Sequence, residues 1–168
     1  FISGRSFRTS ISAHTYSDLW LFPWGYTCAD PPQRSEFDLI AQWITVDNHY
    51  VHGTICQALY SANGDTVDYD FGAHATWSGT VEIGNSSDGF WPPASRILPL
   101  LKENLRPFQR VALYAGAGLE GSDWNWHEAS GDGDSWREPG EEFDLALTLT
   151  NAGTLATGPG ALANEFID

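Results

Sequence analysis

Apolar residues recur at helical spacing in one stretch above all: between Ser95 and Tyr114, where Ile97, Leu98, Leu101, Leu105, Phe108 and Val111 make one face, disturbed at Pro107. A second face, Phe37, Ile40, Ala41, Ile44 and Val46, predicts an amphipathic helix over 35–50 with Ser35 as its N-cap. Elsewhere the period drops to two. Phe7–His14 alternates loosely and reads as a strand ending at the histidine, Leu19–Phe22 as a short strand stopped by Pro23 and Gly25, and Ala75–Ile83 as a strand reaching Glu82. The Gly-, Asn- and Asp-rich stretch 60–72 reads as a long loop with one helical turn. Strands alternating with helices predict an α/β fold, with chemistry at the strand ends.

Beyond about Gly118 the pattern changes. Residues 119–142 are crowded with Gly, Ser, Asp and Glu and read as an acidic linker, whereas Phe143–Thr150 alternates strictly and reads as a strand without partners. The expected organisation is therefore an α/β part over 1–118, a linker over 119–142 and an incomplete β-rich tail over 143–168.

Charge sharpens that division. Residues 1–118 hold eleven acids and seven bases, while 119–168 hold eleven acids and Arg137 alone, within a net charge of -14. No basic patch exists to neutralise phosphates, which excludes nucleic acid as a partner. No stretch approaches the roughly 18 apolar residues of a membrane span. Cys28 and Cys56 are either a disulfide or two buried thiols. Asp132 and Asp134, with a glycine between them, offer clustered oxygen ligands of the kind Ca2+ takes. His49-x-x-His52 has a metal-like spacing after a helix.

Peptide hydrolysis near neutral pH calls for a metal to activate water, a carboxylate to take its proton, and donors for charge developing on the carbonyl. Glu82 at a strand end suits the carboxylate role if that end faces a cleft; otherwise it is an exposed strand-end residue. His14, in Ala-His-Thr-Tyr and ahead of Leu-Phe-Pro-Trp-Gly-Tyr (21–26), is either a ligand or an ordinary surface histidine. Tyr60-Ser-Ala-Asn-Gly, Val67-Asp68, Thr80-Val-Glu82 and Gly89-Phe-Trp-Pro-Pro follow in order.

That ordered set resembles the C-terminal half of the zinc metallocarboxypeptidases of the carboxypeptidase A type. Tyr60 and Asp68 precede Glu82 by the family's own intervals. The resemblance implies a mixed-sheet α/β/α domain, one Zn2+ ion with His14 as its third ligand, and Glu82 as general base and later proton donor. It implies a cis Thr15–Tyr16 peptide, Tyr16 lining the cleft, and Tyr60 closing over the substrate's terminal carboxylate. Val67, just before Asp68, would form the floor of the side-chain pocket, with Ile55, Ala62 and Thr80 as walls. Since none of these carries charge, apolar C-terminal residues are the expected substrates, although Asp65 or Asp68 could turn inward.

The family's His-x-x-Glu pair and substrate-gripping arginines have no counterpart here. This chain is then expected to be inactive alone, its partners being a peptide substrate and the missing N-terminal half of the catalytic domain. The tail from 143 is similar to the opening of immunoglobulin-like β-sandwich modules appended to secreted hydrolases, which implies a secreted or cell-surface protein. A non-catalytic peptide- or glycan-binding relative, and a structural segment of a surface protein, are the competing readings.

Overall fold

The computed structural model describes residues 2–134, 136, 138–151, 153, 155 and 156, without the side chains of residues 120 and 122. The chain divides between Ala115 and Gly116 into two compact units.

The first unit is a mixed α/β arrangement. β1 (Thr9–His14), β2 (Leu19–Phe22), β3 (Val51–Thr54) and β4 (Trp77–Glu82) form one sheet in the order β1-β4-β2-β3. β1 runs parallel to β4 and β2 parallel to β3, while β2 and β4 are antiparallel. Because successive strand residues point to opposite faces, Trp20, Phe22, Trp77 and Val81 enter one core with Phe37, Ile40, Ala41 and Ile44 of α1 (Arg34–Ile44) and Val111 and Tyr114 of α4 (Ala94–Tyr114). On the other face Leu21 meets Ile55 of α2 (Ile55–Ala58) and Val67 of α3 (Thr66–His74).

Several boundaries differ from those expected. α1 is preceded by Gln33 rather than capped by Ser35, and it stops at Thr45, whose hydroxyl donates to the Ala41 carbonyl at 2.8 Å. The chain then turns into β3, four residues too short to show a period. The expected loop over 60–72 gives way at Thr66 to α3, which runs on to His74. Asp65 caps it by accepting the Asp68 amide at 2.7 Å, and Ala75 closes it in the left-handed region at φ 52°. Only Val67 and Asp70 of this helix are buried, so no apolar stripe announces it.

In α4 the stripe that meets the sheet is Leu100, Asn104, Pro107, Val111 and Tyr114. Most of the face that stands out in the sequence lies on the outside: Ile97, Leu98, Leu101 and Leu105 are exposed. Among the described residues no helix is long and apolar enough to cross a membrane.

The second unit is a two-stranded antiparallel sheet of β5 (Leu119–Ser130) and β6 (Glu142–Asn151). Half of the expected linker is therefore a strand, and the strand expected to lack partners has one. Trp126 lies opposite Leu145, and Trp124 opposite Leu147. The end of the expected β-rich tail, 157–168, lies outside the described residues.

Candidate active site

The parallel register of β1 and β4 makes His14 and Glu82 Cα partners at the same end of the sheet. Period-two alternation then aligns Ser10, Ser12 and His14 with Ser78, Thr80 and Glu82 on the face that α2 and α3 cover. These polar side chains are tied down. Ser78 donates its hydroxyl to the Val67 carbonyl at 2.7 Å, Thr80 donates to the Ser12 carbonyl at 3.0 Å, and Ser12 Oγ is hydrogen-bonded to His14 Nε2 at 2.8 Å.

Backbone bonds clasp the two strand ends together. The Ile83 amide donates to the His14 carbonyl at 2.9 Å, and the Ser17 and Asp18 amides both donate to the Gly84 carbonyl, at 2.7 and 3.0 Å. Gly84 adopts φ 84° and Asp18 φ 53°. The Gly84 amide donates in turn to the buried Tyr50 hydroxyl at 3.2 Å, which also receives the Asn104 side-chain amide at 3.1 Å.

Above this polar row opens a cavity of about 390 Å³. Its sheet side is Ser12, His14, Thr80 and Glu82. Ile55 and Leu59, Tyr60 and Ala62, and Asp65 and Val67 form the opposite side. The sequence-predicted residues His14, Ile55, Tyr60, Ala62, Val67, Thr80 and Glu82 thus border one space. Val67 and Ile55 are both buried, while Tyr60 stays 63% exposed. Burial raises the Glu82 carboxyl above its ordinary value, an effect that the neighbouring His14 charge partly opposes.

Asp68 and Tyr16 are not among the lining residues. The Asp68 carboxylate turns to the loop after β2, where it accepts the Gly25 amide at 2.9 and 3.1 Å and the Tyr26 amide at 2.9 Å. Both of its oxygens thus take main-chain donors, and it points to that loop rather than into the cavity. Tyr16 follows a cis peptide at Thr15–Tyr16 and packs edge-on against Phe90, ring centres 5.0 Å apart. The Pro23–Trp24 peptide is also cis.

Ser12, Leu59, Gly64 and Thr66 border the cavity without having been singled out in the sequence. Ser12 was findable, because alternation puts it on the face of His14. Of the two aspartates that could turn inward, Asp65 is the one that borders the cavity. Its Oδ1 caps α3, while Oδ2 is buried without a partner and burial raises its pKa. Gly25 lies hard against that oxygen; a Cβ there would come within 2.5 Å of it. Cys28 and Cys56 form a disulfide across 28 positions, tying the loop after β2 to α2.

The residues present do not by themselves make a zinc centre. Such centres need three or four protein ligands, and here one exposed imidazole stands beside one carboxylate. Among the described residues only Glu128, Asp132 and Glu141, in the second unit, bring three ligand atoms within 4.8 Å of one another. Calcium at Asp132 and Asp134 is not supported either. Asp134 is outside that group, and the two carboxylates accept backbone amides of Asp134 and Trp136 at 3.0 and 2.6 Å.

The sequence profile of the zinc carboxypeptidase family matches residues 1–107. Carboxypeptidase A2 of Mus musculus is 35% identical over 103 residues, covering 57% of this chain and 25% of that protein. Mast cell carboxypeptidase A of Rattus norvegicus is 32% identical over 118 residues, covering 66% and 28%. The chain thus spans about a quarter of the length of these relatives. Among solved structures, bovine thrombin-activatable fibrinolysis inhibitor in complex with tick carboxypeptidase inhibitor superposes with a TM-score of 0.60 at 27% identity, over 62% of this chain and 38% of that one. Carboxypeptidase A from Helicoverpa armigera, at 20% identity and a TM-score of 0.55 over 62% of this chain and 29% of its own, shares the fold.

Proposed function

The chain belongs to the zinc carboxypeptidase family, and from that membership we propose that it supplies part of the active site of a zinc-dependent metallocarboxypeptidase that removes apolar C-terminal residues from peptides. The observation that carries the reading is the in-register pair His14 and Glu82 at the rim of a cavity walled by Ile55, Leu59, Ala62 and Val67. His14 would hold Zn2+ together with two ligands from outside this chain. The ion would supply Lewis-acid activation of water and carbonyl.

Glu82 is the proton carrier in this reading. Its partly buried carboxyl, with a raised pKa, takes a proton from the attacking water and returns it to the leaving amine. Tyr60, exposed on the segment after α2, is free to swing over the cavity and donate its hydroxyl to the substrate's terminal carboxylate. Tyr16, outside the cavity and packed on Phe90, would border the cleft on the far side of the scissile bond. Val67, Ile55, Ala62 and Thr80 receive the C-terminal side chain, and burying a cation among them without a counter-charge costs several kcal/mol.

Asp68 acts indirectly, by holding the Gly25–Tyr26 turn against this pocket. The disulfide supports an oxidising compartment and hence secretion. We read the β5–β6 pair and the tail after it as the opening of a β-sandwich module.

The test is a polypeptide in which this chain is completed by the two further ligands. Hydrolysis of a peptide ending in Phe should fall about 10²–10⁴-fold in Glu82→Gln with zinc content unchanged. A completed protein that binds such peptides without cleaving them would instead make it a non-catalytic peptide-binding relative.

A further inference from the structure

Asparagine or aspartate precedes glycine at three places in the chain: Asn63–Gly64, Asp88–Gly89 and Asp132–Gly133. A glycine has no Cβ to shield its amide nitrogen, so that nitrogen can reach the preceding side-chain carbonyl unless it is held elsewhere. At two of the three it is held. The Gly89 amide donates to the Asn85 carbonyl at 3.1 Å, and the carboxylate of the buried Asp88 is itself forked by Arg96 at 2.6 and 2.9 Å. The Gly133 amide donates to Glu128 Oε1 at 2.9 Å. The Gly64 amide has no acceptor among the described residues.

Asn63 and Gly64 are both exposed, Gly64 lies at φ 78°, and a Cβ built on it would meet nothing within 4 Å. The segment between α2 and α3 is fastened on either side of this pair. The Leu59 and Tyr60 amides reach the Ile55 carbonyl, the Ala62 amide reaches the Gly25 carbonyl at 2.9 Å, and Asp65 caps α3. Asn63 thus sits where its side chain and the next amide can turn toward each other. Gly64 borders the same cavity as Glu82 and Asp65.

We propose that Asn63 is a site of spontaneous deamidation, and that the reaction adds a negative charge to the rim of the cavity. The Gly64 nitrogen adds to Asn63 Cγ and closes a cyclic imide; the Gly64 amide proton passes to solvent and Nδ2 departs as ammonia. Water then opens the ring. Breaking the new N–Cγ bond leaves aspartate at 63, whereas breaking the bond from that nitrogen to the Asn63 main-chain carbonyl leaves an isoaspartyl link, one methylene longer in the main chain. Nothing is oxidised or reduced, and water is the only co-reactant. Either product sets a carboxylate between Tyr60 and Asp65, on a cavity already bordered by Asp65 and Glu82, and so favours a cationic C-terminal side chain over an apolar one relative to the fresh chain. This effect on substrate rests on the function proposed above; the modification itself does not.

The test ages the full 168-residue chain under mildly alkaline conditions in heavy-oxygen water and maps its peptides by mass spectrometry. Asn63 should convert about tenfold faster than any other asparagine, with solvent oxygen in the product and isoaspartate at 63. Asn63→Gln should slow conversion at that position about tenfold or more and leave the melting temperature unchanged, as expected for an exposed site. Conversion of Asn63 no faster than that of Asn85 or Asn125, or a product without solvent oxygen, would overturn the proposal. Peptide hydrolysis is read separately, in the polypeptide completed by the two further ligands. There Asn63→Asp should raise the ratio of Lys-ended to Phe-ended peptide cleavage about threefold, and an unchanged ratio would overturn the role given to the added charge. A completed polypeptide that cleaves neither peptide, while Asn63 still converts, sinks the catalytic reading and keeps the modification site.

Discussion

The buried hydroxyl of Tyr50 accepts the amide of Gly84 at 3.2 Å, two residues past Glu82. The carbonyl of the same Gly84 receives the amides of Ser17 and Asp18, just past His14. One residue is thus gripped from both sides, and the strand ends carrying the imidazole and the carboxylate are held by that grip. Tyr50→Phe removes the acceptor for two donors, Gly84 N–H and Asn104 Nδ2. Urea unfolding should register a loss of about 1–3 kcal/mol; a change within experimental error would mean water replaces the hydroxyl without cost.

The same phenol predicts an alkaline effect. Burial, opposed by the hydrogen bonds from Asn104 and Gly84, pushes Tyr50 up from 10.0 to about 12. The folded protein keeps this proton where the unfolded chain releases it, so the contribution is complete below pH 10 and lost as pH rises through about 12. Melting curves across that interval should fall less steeply for Tyr50→Phe than for the parent.

Glu82 gives a slope of the same sign at acid pH. Its folded pKa is raised by burial above the ordinary 4.5, so its stabilising contribution is full below 4.5 and disappears as pH rises through the folded value. Glu82→Gln should therefore melt higher than the parent at pH 7, with the difference shrinking by pH 4. A gap independent of pH would mean that something other than desolvation of the carboxylate governs this site.

Asp68 should behave as a structural residue. Asp68→Ala strips the Gly25 and Tyr26 amides of their acceptor and should cost about 2–4 kcal/mol, whereas Asp68→Asn keeps one oxygen and should recover part of the loss. Chemical denaturation of the two variants decides it; equal losses would point to the charge rather than the hydrogen bonds.

Replacing Cys28 and Cys56 together by Ser opens a loop spanning 28 positions. Loop-closure entropy for that length is about 3.5 kcal/mol at 25 °C. Guanidinium unfolding of the double variant should show a destabilisation of that order, and no change would place the restraint elsewhere.

If the proposed reading holds, a polypeptide completed by the two further ligands should cleave peptides ending in Phe or Leu faster than those ending in Lys. Val67→Asp should reverse that order by putting a carboxylate at the pocket floor. A parent that prefers Lys would reveal Asp65 Oδ2 as the counter-charge, a point that Asp65→Asn would check.

The sequence by itself determined the elements whose signal is local. Alternation ends one strand at His14, carries another through Glu82, and points Thr80 and Glu82 to one face; Ile55, Tyr60, Ala62 and Val67 on the opposite wall were named only through the family resemblance. The order of motifs around Tyr60, Val67 and Glu82 supplied the family. What escaped was set by distance along the chain or by weak periodicity. α3 buries only Val67 and Asp70, and Asp68 finds its partners about forty residues away at Gly25 and Tyr26, which no local pattern reveals. The pairing of Phe143–Thr150 with a Gly- and Asp-rich segment, and of Cys28 with Cys56, likewise needed the folded chain.

α4 states the limit most clearly. Its spacing declares an apolar face at Ile97, Leu101 and Leu105, yet the packed stripe is Leu100, Asn104, Pro107, Val111 and Tyr114. Hydrophobic periodicity records that a surface avoids water; which body covers it is decided only when strands and helices from distant parts of a chain come together.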